Sequence, residues 1–126
     1  MMNMSVTTHF LNVDLDLNAS SEAEMLDLVR ALQPSVLVLN SSGCCASLEL
    51  AESATDAAHA IASYARLIDA LPSGARTIWD RCEVRNMNIG IQVGPEPFAA
   101  VFDLPREAIV TLQRLGASVA VTVYAR

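Results

Sequence analysis

Residues Phe10 to Asn18 read Phe-Leu-Asn-Val-Asp-Leu-Asp-Leu-Asn, and the reading of the whole fold starts there. Leu11, Val13, Leu15 and Leu17 fall on one side, with Asn12, Asp14, Asp16 and Asn18 on the other. Strict period two over this length marks a strand with one face on a core and the other in water. A sheet open on one face is characteristically antiparallel, with helices gathered on the opposite face.

The same grammar continues along the chain. Ser21-Glu22-Ala23-Glu24 has the form of a capping box. Met25, Leu28, Val29 and Leu32 follow at helical spacing, and Gln33-Pro34 ends that helix. Val36 to Leu39 is apolar on both faces, which reads as a central strand. Asn40 to Gly43 turns the chain, and Ala46 to Ala51 returns as a strand with Leu48 and Leu50 inward. Thr55-Asp56 opens an alanine-rich helix to Leu71, whose inward stripe is Ala57, Ile61, Tyr64, Ile68 and Leu71. Ala75 to Cys82 forms another short helix after the Pro72-Ser73-Gly74 break.

Met87, Ile89, Ile91 and Val93 alternate with Asn86, Asn88, Gly90 and Gln92 in a further half-buried strand. Gly94 to Pro97 turns, and Phe98 to Phe102 reads as extended. Asp103-Leu104-Pro105 starts the last helix, Ile109, Leu112 and Leu115 face inward, and Gly116 is placed to terminate it in the left-handed conformation. Val119, Val121 and Val123 alternate with Ser118, Ala120, Thr122 and Tyr124 in the final strand. The expected architecture is α+β: a ferredoxin-like βαββαβ core followed by a β-α-β extension. Its sheet is largely antiparallel with helices on one face, in a single domain over residues 1–126.

Composition narrows the function classes. Of 126 residues, 52% are apolar and 17% charged, against roughly 25% charged in an average domain. All 8 basic residues are arginines, set against 14 acidic ones, for a net charge of −6. That balance argues against coating nucleic acid and against an anionic membrane surface. The longest uncharged run, Ala31 to Leu48, contains Pro34 and the Asn40-to-Gly43 turn, so it does not read as a membrane span. Met1-Met2-Asn3-Met4-Ser5 lacks the basic and apolar regions of a signal peptide. Three cysteines, two of them adjacent, make no disulfide framework, and a cytoplasmic protein is expected.

One block carries a family likeness. Phe102-Asp103-Leu104-Pro105, the helix ending Leu115-Gly116-Ala117-Ser118, and the strand ending in Tyr124 follow a strand containing Asn88-Ile89-Gly90-Ile91. This arrangement resembles a family of small bacterial α+β domains of unknown function that end in a Leu-helix-Leu-Gly-Ala-strand-Tyr block. The likeness covers roughly residues 86–124. It implies a soluble bacterial domain and carries over no functional residue.

No catalytic, cofactor-binding or metal site emerges from spacing. Asp14 and Asp16 project from one face and have the makings of a proton-sharing or cation-binding pair, but a solvated strand face explains them more simply. Cys44-Cys45 and the distant Cys82 lack zinc-ligand spacing, and buried thiols are the simpler reading. Asp56, His59 and Ser63 share a helix face without the nucleophile elbow a hydrolase needs. Arg76, Trp79, Arg81 and Arg85 form the densest basic–aromatic stretch, a weaker candidate patch offset by Asp80 and Glu83.

The outward side of the strands is the better candidate. Asp14, Asp16, Asn88, Gln92, Thr122 and Tyr124 mark a sheet face that is small, polar and nearly uncharged. Freely solvated sheets usually carry lysine, glutamate and arginine, which discourage association. The expected function is therefore non-catalytic: a self-associating homodimer or a protein-binding domain, of which an acidic immunity-type protein would be one form. The competing expectation is a small-molecule-binding regulatory domain, or an enzyme, using the same face.

Overall fold

A computed structural model of the chain describes residues 7–125; the Met1-to-Ser5 stretch read above for a signal peptide lies outside them. In chain order the elements are β1 (His9–Asn18), α1 (Glu22–Leu32), β2 (Val36–Ser42), β3 (Cys45–Leu50) and α2 (Ala57–Asp69). They are followed by α3 (Ser73–Arg81), β4 (Val84–Gln92), α4 (Arg106–Leu115) and β5 (Ser118–Tyr124). The five strands form one mixed sheet in the order β2-β3-β1-β4-β5. Every neighbouring pair is antiparallel except β4 and β5, which run parallel.

The helix ends follow the local chemistry. Ser21 caps α1, its hydroxyl accepting from the Glu24 amide at 3.1 Å, and the Asp56 carboxylate caps α2 by accepting from the His59 amide at 2.8 Å. Gly116 ends α4 at φ +69°, with the Ala117 amide donating back to the Leu112 carbonyl at 2.9 Å.

The core lies between the helices and one face of the sheet. Leu15, Leu48 and Met87 are fully buried in register across β3, β1 and β4, beneath Leu28 of α1, Ile61, Tyr64 and Ile68 of α2, and Trp79 of α3. The Tyr64 hydroxyl reaches the sheet backbone and donates to the Val13 carbonyl at 2.8 Å, which resolves what a buried phenol would otherwise cost. All four helices contribute to this cluster, and so do four of the strands. β5 contributes no fully buried residue.

Four expectations are corrected. Val36 to Leu39 is an edge strand rather than a central one, with Leu37, Val38 and Leu39 exposed. Double-sided apolarity says nothing about which strand lies alongside. Leu11 faces out because the register shifts between Phe10 and Asn12, so Phe10 takes the inward place. Phe98 to Phe102 forms no strand, so only α4 and β5 follow β4. Val119, Val121 and Val123, read as core, are exposed because no described element packs over that end of the sheet, and Ile109 is exposed because α4 buries Ala108, Leu112 and Leu115 instead. Among the described residues, no helix is long and apolar enough to cross a membrane.

Candidate functional site

The outward sheet face collects the expected residues, and it mostly satisfies itself. Register sets Asp14 between Glu49 of β3 and Asn88 of β4. The Asn12 amide nitrogen donates to Asp14 Oδ1 at 3.1 Å and to Glu49 Oε2 at 3.2 Å, bridging two carboxylates that face each other across the strands. The Ser47 hydroxyl donates to Asp16 Oδ1 at 2.7 Å. Further along, Thr122 donates to Asn88 Oδ1 at 2.8 Å and Ser118 to Asn86 Oδ1 at 3.1 Å. Gln92 donates through its amide nitrogen to the Tyr124 carbonyl at 3.1 Å. Gly90 leaves the room this packing needs: a Cβ there would lie 3.1 Å from Asn12 Oδ1 and 3.5 Å from the Tyr124 ring.

Asp14 sits partly buried between strands of the same face. Partial burial, then the charges of Asp16 and Glu49, hold its carboxyl above the ordinary carboxylate range. Among the described residues, no three His, Cys, Asp or Glu side chains are grouped to hold a metal ion. Asp14, Asp16 and Glu49 concentrate negative charge on this face, and one oxygen of each accepts a hydrogen bond from Asn12 or Ser47 within the sheet.

The Arg76–Trp79–Arg81–Arg85 stretch is tied into the fold. Trp79 is fully buried, and its indole N–H donates to the Leu115 carbonyl at 3.1 Å. Arg85 lies 6.0 Å from the Trp79 ring and donates to the carbonyls of Trp79, Asp80 and Gly116 at 2.8–3.0 Å. Arg81 pairs with Glu24, and Arg76 with Asp69 and Asp80. These guanidiniums fasten α3 to α1, to β4 and to the end of α4. The other polar candidates are likewise local. His59 Nδ1 accepts from the Thr55 amide, Cys82 is buried, and Cys44 and Cys45 are half-buried and exposed.

What sequence reasoning missed is on the other face. Over β4 and β5, on the helix side, lies an open groove of about 840 Å³. Its floor is Ile89, Ile91, Val119, Val121 and Val123, and one wall is the Pro95-to-Asp103 loop with Phe98, Val101 and Phe102. Thr8, Asp56 and Asp103 are its polar lining, and among the described residues none that lines it is basic. Phe98 stands wholly in solvent, at 105% of its reference exposure. The sequence held one signal of this: Phe98 to Phe102 is uncharged and apolar, yet it has no helix or strand to justify it.

No protein-family model matches the chain, and no curated protein or solved structure matches it either.

Proposed function

We propose that this chain is a non-catalytic, self-associating domain whose working surface is the β4–β5 end of the sheet. The observation that carries the reading is β5: an uncharged edge strand with Val121 and Val123 at 60% and 58% exposure. Soluble proteins blunt such edges with charge, proline or bulges, and β5 has none of them. A contiguous apolar surface of groove and edge is a normal feature of an interface and a liability anywhere else.

The finer architecture belongs to the same reading. The order β2-β3-β1-β4, with α1 and α2 as crossovers, supports a ferredoxin-like βαββαβ core, and α4 with β5 extends it. The resemblance to small bacterial domains spans β4, α4 and β5, the same part that carries the exposed surface. A cytoplasmic setting is supported by three cysteines that form no disulfide.

Light scattering after gel filtration tests the reading. A dimer at tens of micromolar is expected, and a monomer throughout that range sinks it. A second reading draws on the groove itself, whose volume and apolar lining suit a small apolar ligand with a basic or hydrogen-bonding head toward Asp56 and Asp103. Its test is saturable Nile red fluorescence that Val121→Lys abolishes while the protein is monomeric.

A further inference from the structure

We infer that the partner of β5 is the β5 strand of a second copy, paired antiparallel about a two-fold axis at Val121. This rests on the self-association reading and specifies its geometry.

The backbone comes first. The Tyr124 carbonyl accepts from the Val93 amide of β4 at 3.0 Å, in a parallel ladder that pairs Gln92 with Tyr124. The N–H and C=O of one strand residue point to the same side, and the next residue's point to the other. Tyr124, Thr122, Ala120 and Ser118 therefore direct their backbone groups at β4. Val119, Val121 and Val123 direct theirs to the open edge, where no described element pairs with them. Only an extended strand supplies partners for such a row.

The side chains then select which strand. Ser118-Val-Ala-Val-Thr-Val-Tyr124 is nearly symmetric about Val121. Antiparallel pairing centred there sets Val121 against Val121, Val119 against Val123, and Ala120 against Thr122. The valine pairs are the hydrogen-bonded ones, each exchanging both backbone bonds, and no pair brings like charges together. A two-fold axis requires self-complementarity of this kind. Val119, Val121 and Val123 also share the helix side, so pairing covers their exposed flanks and runs the two grooves together. The opposite edge does not offer the same template. The register of β2 shifts between Val38 and Asn40, and such a bulge twists a strand away from extension.

The experiment uses the full chain with Cys44 and Cys45 replaced by serine. In this register Val121→Cys places two thiols in a pair whose Cα atoms are about 5.5 Å apart, within disulfide reach. Val119→Cys separates them by about 14 Å along the strand. Mild oxidation is expected to cross-link most of the Val121→Cys protein and little of the Val119→Cys protein. Val121→Lys should weaken the dimer at least tenfold while circular dichroism stays that of the parent, and if it does not fold the cysteine pair decides alone. A parent dimer in which Val121→Cys fails to cross-link, or Val119→Cys cross-links equally well, overturns this pairing and leaves self-association standing. A monomeric parent overturns both.

Discussion

The two ends of the sheet follow the same alternation and meet different fates. At β1 and β3, Leu15 and Leu48 lie under α1 and α2 and are fully buried. At β5, Val119, Val121 and Val123 have the same period and the same inward direction, yet they stay open to solvent. α4 leans on α2 and buries Ala108, Leu112 and Leu115, which leaves the β5 face to a loop that does not close over it. Period two reports which side chains share a face, and burial depends on whether another element arrives to cover it.

That contrast has measurable consequences. Leu15→Ala or Leu48→Ala should cost about 2–5 kcal/mol in urea unfolding, since each opens a cavity in packed core. Val121→Ala, measured on dilute monomer, should cost under about 1 kcal/mol. Equal losses at the two ends would mean that β5 is covered after all.

The joint between the two ends is the next most sensitive place. Trp79→Phe removes the indole bond to the Leu115 carbonyl that holds α3 to the end of α4, and about 1–3 kcal/mol should be lost. Tyr64→Phe, at the covered end, removes a hydrogen bond to the Val13 carbonyl and should cost about 1–2 kcal/mol. A larger loss for Tyr64→Phe than for Trp79→Phe would move the critical joint to the centre of the sheet.

Smaller effects come from charge. The fold holds Asp14 above its ordinary value, so between pH 3.8 and the raised pKa the native state binds more protons than the unfolded chain. The Asp14 contribution to stability therefore falls as pH rises through that window. Asp14→Asn should melt at a higher temperature than the parent at neutral pH, with the gain vanishing below pH 3.8, where both side chains are uncharged. A variant no more stable at pH 7 would count against the cluster with Asp16 and Glu49. Asp69 runs the other way. The two-pronged bond from Arg114, at 2.8 and 3.0 Å, holds its carboxyl below the usual range. That contribution is present above the unfolded value and is lost in acid, so Asp69→Asn should lower the melting temperature slightly at pH 7 and not at all once Asp69 is protonated.

Much of the fold was legible in particular residues. Ser21 and Asp56 announced two helix starts, Gly116 a helix end, and Val13, Leu15 and Leu17 a core face. The polar alternates Asp14, Asn88 and Thr122 do share a face, as their spacing implied. The bonds from Ser47 to Asp16 and from Thr122 to Asn88 were not legible, because cross-strand partners depend on register. Trp79 belongs to the core, the simpler reading of its place in the sequence, and the weaker reading of a patch fails because composition cannot show that Arg85 is spent on three backbone carbonyls. The groove escaped for a related reason. Phe98, Val101 and Phe102 belong to no helix or strand, so no periodicity marks them.

By itself the sequence determined the type and order of most elements, the caps of α1 and α2 and the end of α4, and that the chain carries little positive charge. Those properties are set by neighbours within a turn or a strand, through caps, glycine conformation and alternation. It misplaced the β2–β3 turn, which begins only after Ser42, and the facing of Leu11. Only the tertiary structure decided that β1 is central, that Val36 to Leu39 lies at an edge, and that β5 ends the sheet uncovered. Strand order and coverage arise from contacts between residues far apart in the chain, and no local pattern encodes which distant surface will arrive.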